Sequence, residues 1–105
     1  MPGNLFYQQI TKGVGADQAL AISAQNTFTA PVVLLGGFSL SISGTWAGTV
    51  TIQRSFDEGS TWLDVQNYTA NIEDTGSEPR GNTVYRVGIK TGNYTSGTAN
   101  VRIGQ

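Results

Sequence analysis

The 105-residue chain has no cysteine and no histidine. Those absences remove disulfide frameworks, thiol nucleophiles, Ser-His-Asp triads, histidine-based zinc or iron sites and the usual proton shuttle of neutral pH. Charge is also scarce: charged residues make up 12% of the chain, against roughly 25% in an average soluble domain. Six Lys+Arg oppose seven Asp+Glu for a formal net charge of −1, and the basic residues Lys12, Arg54, Arg80, Arg86, Lys90 and Arg102 are scattered. No basic stripe can neutralise successive phosphates, so nucleic acid is not an expected partner. The longest apolar run, Ala30 to Leu35, is interrupted by Pro31 and is far short of a membrane span. Met1-Pro2-Gly3-Asn4 lacks a basic segment leading into an apolar one, so no secretory signal is read and synthesis in the cytoplasm is expected. Neither an enzyme nor a cofactor is expected.

Thr, Ser, Asn, Gln and Gly are abundant instead. A polar, weakly charged surface suits packing against many neighbours, where each extra charge would need a partner. Strand-favouring Thr and turn-forming Gly and Asn give the same composition in any β-rich domain. The length allows one domain, large enough to bury roughly 65% of its unfolded surface.

From Phe38 onward the hydrophobic period is two. Phe38, Leu40 and Ile42 alternate with serines, and Gly44-Thr45-Trp46-Ala47-Gly48 reads as a turn. Val50, Ile52 and Phe56 then face inward, a return strand starts at Trp62, and Tyr68, Ala70 and Ile72 resume the alternation before an acidic loop, residues 73–82. Tyr85, Val87 and Ile89 pair with Ala99, Val101 and Ile103 as a closing hairpin, turned by Gly92-Asn93 to Ser96-Gly97. The expected fold is all-β, an antiparallel sandwich or small barrel of roughly six to eight strands. Residues 1–37 read as a less regular N-terminal arm with edge strands packing on the core, and residues 38–105 as the sandwich core of a single domain. Asp17 to Gln25 fits either a short helix or a strand, the strand being favoured by Leu20 and Ile22 among small neighbours.

Ser55-Phe56-Asp57-Glu58-Gly59-Ser60-Thr61-Trp62 resembles the Asp-box hairpin, with Ser55, Asp57, Gly59, Thr61 and Trp62 at its fixed positions. That resemblance implies a turn whose aspartate bonds backbone N–H groups and whose tryptophan packs beneath. It implies no catalytic role. The acids Asp57, Glu58, Asp64, Glu73, Asp74 and Glu78 show no spacing that favours a paired-carboxylate hydrolase. Glu73-Asp74-Thr75-Gly76-Ser77-Glu78 offers oxygen ligands around a glycine, but lacks the Asp-X-Asp-X-Asp-Gly pattern of a calcium loop. No catalytic or metal residue is therefore assigned. Leu5, Phe6, Tyr7, Glu73, Asp74, Glu78 and Arg80 are the candidate interface residues. Trp46 and Tyr94, placed in turns, are the candidate exposed aromatics for stacking on a sugar ring. Arg54 is anomalous, occupying the inward parity between Ile52 and Phe56. A bulge, a reach towards Asp64 at the sheet end, or a subunit contact would each account for it.

Phe38 to Trp62 resembles small β-domains of tailed-bacteriophage virions, and Tyr85 to Thr98 is similar to the closing hairpin of such proteins. The resemblance implies a structural protein on the head surface that decorates or cements the capsid. Its implied partners are the major capsid protein and copies of itself in a homotrimer, without nucleic acid or membrane. The alternative is a carbohydrate-binding or adhesion module of a head fibre or tail, with a glycan as partner.

Overall fold

The computed structural model describes residues 16–105. These form nine strands: β1 (Asp17–Ile22), β2 (Thr27–Phe28), β3 (Val32–Val33), β4 (Gly36–Gly48), β5 (Val50–Ser55), β6 (Leu63–Tyr68), β7 (Ile72–Glu78), β8 (Val84–Ile89) and β9 (Tyr94–Gly104). One sheet has the order β1-β9-β4-β7, the other β2-β8-β5-β6 with β3 also on β8, and every pairing is antiparallel. The expected β-sandwich is thus the observed architecture, and the Asp17 region is the strand β1.

β2 and β3 lie along β8 in succession, Phe28 opposite Gly88 and Val32 opposite Tyr85. Between them Thr29 closes the gap, its N–H donating to the Val87 carbonyl at 2.9 Å and its hydroxyl accepting from the Val87 N–H at 3.2 Å. Pro31, which has no N–H to give a ladder, accounts for the interruption. Counted as one strand, β2 and β3 pair with the penultimate strand, β1 pairs with the last, β4 with β7 and β5 with β6. Such nested pairing, rolled into two sheets, is a jelly roll. Period-two alternation fills the space between the sheets with Ile22, Leu40, Ile42, Val50, Val87 and Val101, all buried, each contributing roughly 1.5–3 kcal/mol on burial.

The rolled topology overturns three readings of the sequence. Tyr85 to Ile89 and Ala99 to Ile103 are not a hairpin, because β8 and β9 belong to different sheets. The stretch from Trp62 to Ile72 is two strands, β6 and β7, which also lie in different sheets. Gly44 to Gly48 and Tyr94 to Gly97 are not turns either: β4 and β9 continue through them, pairing from Gly44 opposite Ala99 to Gly48 opposite Tyr94. The glycines there serve close approach. A Cβ on Gly44 would lie 2.5 Å from the Thr98 carbonyl oxygen, and one on Gly97 2.2 Å from that of Thr45.

The acidic loop is mostly strand as well. β7 places Ile72, Asp74, Gly76 and Glu78 opposite Ile42, Leu40, Phe38 and Gly36. Cross-strand partners share a face, so Asp74 and Glu78 point between the sheets while Glu73 points out. Glu78 is only 1% exposed. Its carboxylate accepts from the Tyr85 hydroxyl at 2.6 Å, the Arg80 N–H at 3.0 Å and the Arg54 guanidinium at 3.4 Å. Tyr85 and Arg54 stand on the opposite sheet, so Glu78 fastens the two layers. Nearer the middle of β7, the Tyr68 hydroxyl donates to Asp74 at 2.9 Å across the same gap.

Burial works against the charged form of Glu78, but the bonds from Tyr85, Arg80 and Arg54 outweigh it and hold the carboxyl below its ordinary value of 4.5. Its stabilising contribution is therefore present above pH 4.5 and lost as pH falls through the lower native value. Glu78→Gln is expected to cost about 1–3 kcal/mol at pH 7 and to shrink the acid decline measured by thermal unfolding. Tyr68 behaves oppositely. Burial first, then the Asp74 carboxylate, push its phenol from 10 to about 12, so its contribution is complete below pH 10 and is lost as pH rises through about 12. Tyr68→Phe should flatten that part of the alkaline decline in the same experiment.

Candidate functional site

The β5–β6 hairpin is built by side chains that substitute for turn backbone. The Ser55 hydroxyl donates to Asp57 Oδ1 at 2.6 Å and accepts from the Gly59 N–H at 2.8 Å, while the Thr61 N–H donates to Asp57 Oδ1 at 2.8 Å. Glu58 and Gly59 take positive φ, 60° and 95°, a conformation in which glycine is unstrained. The Ser55 hydroxyl, followed by the Thr61 bonds, lowers the Asp57 pKa. Asp57 is a committed turn acceptor, unsuited to donating a proton in hydrolysis.

Trp62 lies half-buried beneath the turn, 3.4 Å from where a Gly59 Cβ would stand. Its ring also faces Arg86, whose Cζ is 4.3 Å from the Trp62 ring centroid and 4.0 Å from that of Phe28. The guanidinium is thus held between two aromatic rings. Arg86 Nε donates to Gln53 at 2.9 Å, Gln53 donates to Asp64 at 2.8 Å, and Lys90 donates to Asp64 at 2.6 Å. Lys90 is the leading cause of a lowered Asp64 pKa, followed by Gln53. This outer face uses its polar groups internally. Sequence parity places Gln53 and Arg86 there, but Phe28 belongs to a segment without readable period.

At one end of the sandwich the arrangement is more open. Phe56, expected inward, is 42% exposed, because β5 ends at Ser55 and the turn carries the next residue off the sheet. Arg54 and Arg80 bring their Cζ atoms to 5.0 and 4.7 Å from its ring centroid. The β5–β6 register does shift between Ile52 and Gln53, leaving Val65 as the extra residue, but Arg54 reaches Glu78 and not Asp64. Of the candidate interface residues, Glu78 is interior and Arg80 is exposed. Glu73 accepts from the Ser41 hydroxyl on the outer face and Asp74 is tied to Tyr68. Leu5, Phe6 and Tyr7 lie outside the described residues.

Among the described residues β6 and β7 are the edges of their respective sheets on one side. Between them lies a cavity of about 210 Å³ lined by Phe38, Leu40, Ile52, Val65, Gln66 and Tyr68, with Asp74, Thr75 and Gly76 on its β7 side. Val65, which lines it, is exposed, as are Leu63 and Ile72 elsewhere on the same two strands. The loop expected at residues 73–82 is strand as far as Glu78, and the strand sends Glu73 and Asp74 to opposite faces. Among the described residues no three acids gather as a metal site. Trp46 and Tyr94 are on strands and half-buried against the core. The Trp46 indole donates to Asn71 at 2.7 Å, and the Tyr94 hydroxyl to the Gly97 carbonyl at 2.9 Å. Neither is a bare ring on a turn.

Arg86→Ala should destabilise the domain by about 1–3 kcal/mol, since two rings lose the cation between them and Gln53 loses a donor. Chemical denaturation of the two proteins measures it.

Comparison of the chain with family models, with curated proteins and with solved structures returns no match.

Proposed function

We propose that the chain is a non-enzymatic structural protein of a phage virion, a decoration (cement) or minor head protein that stabilises the head by protein–protein contacts. The observation that carries this reading is the division of its side chains. Asp57, Asp64, Asp74 and Glu78 are bound into turn, face and sheet-to-sheet contacts. What stays outward is contact surface: the Arg54–Phe56–Arg80 stack and the edges of β6 and β7. Exposed aromatic and arginine groups are the types enriched at protein interfaces. The resemblance of Phe38 to Trp62 to small virion domains supports the same reading, and jelly rolls include viral capsid domains, although fold alone decides no function.

On this reading the partners are the major capsid protein and further copies of the chain in a trimer, at the head surface. Repeated weak contacts suffice there, because simultaneous engagement raises effective affinity by about 10²–10⁴. Light scattering of the free protein is expected to give a discrete oligomer that rebinds at a fixed ratio to heads stripped of accessory proteins. Phe56→Ala should weaken that binding by about tenfold or more, corresponding to roughly 1.4 kcal/mol, without lowering the unfolding temperature appreciably. A monomer that ignores heads would overturn the proposal, and glycan binding by the same protein would then favour an adhesion role.

A further inference from the structure

The cavity between β6 and β7 is lined by two aliphatic side chains, Leu40 and Ile52, and two aromatic ones, Phe38 and Tyr68. Gly76 makes room for one of the rings: a Cβ there would stand 2.7 Å from the Phe38 ring, which a bare α-carbon lets reach across β7. At about 210 Å³ the space admits a single benzene-sized ring with a short substituent, since cavities of about 150 Å³ accept benzene. A carboxylate joins this apolar lining. Asp74 stands opposite Leu40 in the β4–β7 ladder and so turns between the sheets. Its oxygens accept from the Tyr68 hydroxyl at 2.9 Å and from the Thr75 N–H at 2.8 Å. A carboxylate offers about four acceptor positions, so about half of them stay open.

Both of those donors are neutral. Glu78, Asp64 and Asp17 each meet a basic side chain, while Asp57 and Glu58 stand on the exposed turn and Glu73 on the outer face. Among the described residues Asp74 is therefore the one acid turned between the sheets without an ion-pair partner. A half-buried carboxylate beside apolar groups attracts a cation with less screening than one on the surface. Aromatic faces such as those of Phe38 and Tyr68 attract cations as well. An anion would be repelled by Asp74, and a neutral apolar ligand would desolvate the open acceptor positions without supplying charged donors to them.

We infer that this cavity binds a small organic cation, an ammonium group carried on a benzene-sized apolar body, with the body against Leu40, Ile52, Phe38 and Tyr68 and the ammonium donating to Asp74. The inference stands whether or not the virion reading does. Titration of the isotope-labelled full chain with benzylammonium chloride, followed through amide chemical shifts, tests it. Saturable binding is expected with a Kd on the order of 1 mM, appropriate to a ligand of so few atoms, and with the shifts concentrated at Val65, Gln66, Thr75 and Gly76. Benzyl alcohol, the neutral counterpart, is expected to bind the same protein about fivefold or more weakly, because it lacks the charge-assisted bond. Asp74→Asn keeps an acceptor for Tyr68 and should abolish that preference. Tyr68→Phe keeps both ring and carboxylate and should hold benzylammonium within about threefold of the parent affinity. Thermal unfolding verifies that each variant is folded, and the comparison of the two ligands requires no variant. Equal affinity for the two ligands, no saturation by benzylammonium, shifts centred elsewhere, or a preference that survives in folded Asp74→Asn overturns the inference.

Discussion

The sandwich is fastened by a carboxylate that it cannot leave unpaired. Glu78 is buried on β7 and takes its donors from the facing sheet and from the backbone just beyond its own strand. A buried carboxylate without partners would carry a desolvation penalty of several kcal/mol, so the position of β7 relative to β5 and β8 is fixed to the length of these bonds. Apolar packing alone tolerates sliding far better than a hydrogen-bonded charge does. Tyr68 and Asp74 repeat the device closer to the open edge. The layers are thus registered by two phenol–carboxylate contacts and glued by the aliphatic side chains around them.

The same arrangement explains why the surface is so weakly charged. Acids that composition leaves free to be solvated are consumed: Asp57 by its turn, Asp64 by Gln53 and Lys90, Asp17 by Arg102 at 2.8 Å. The arginines are similarly occupied by rings, Arg86 between Phe28 and Trp62, Arg54 and Arg80 beside Phe56. Surface ion pairs of this kind contribute little stability individually. Their effect is to leave polar, nearly neutral faces with little electrostatic cost of close approach.

Legibility in the sequence followed the physics of alternation. Phe38, Leu40 and Ile42, Val50 and Ile52, Tyr85, Val87 and Ile89 each repeat every second residue, and that pattern gives strand and inward face without further information. It does not say which strand pairs with which, so consecutive strands β8 and β9 read as a hairpin although they lie in opposite sheets. Glycine misled in the same way: Gly44 and Gly97 permit a turn, but here they permit two backbones to touch. Glu78 escaped because a carboxylate among Gly, Ser and Pro carries no sign of burial until the Gly36 register is known. The cavity escaped for a related reason, since its walls come from four strands and from a bulge at Val65 that shifts parity.

Pairing β1 with β9 has a kinetic meaning. Among the described residues β1 finds its ladder on β9, with Ile22 opposite Ala99 and Asp17 opposite Gly104. During synthesis the buried side of β1 must therefore wait until β9, some eighty residues later, has emerged before it can be covered. Long-range pairings of this kind place a fold among the slow, topologically complex ones, and the emerging polypeptide presents an unpaired apolar strand throughout that interval. The alternation of small residues along β1, Ala19 and Ala21 between Leu20 and Ile22, limits how much sticky surface is on offer during the delay.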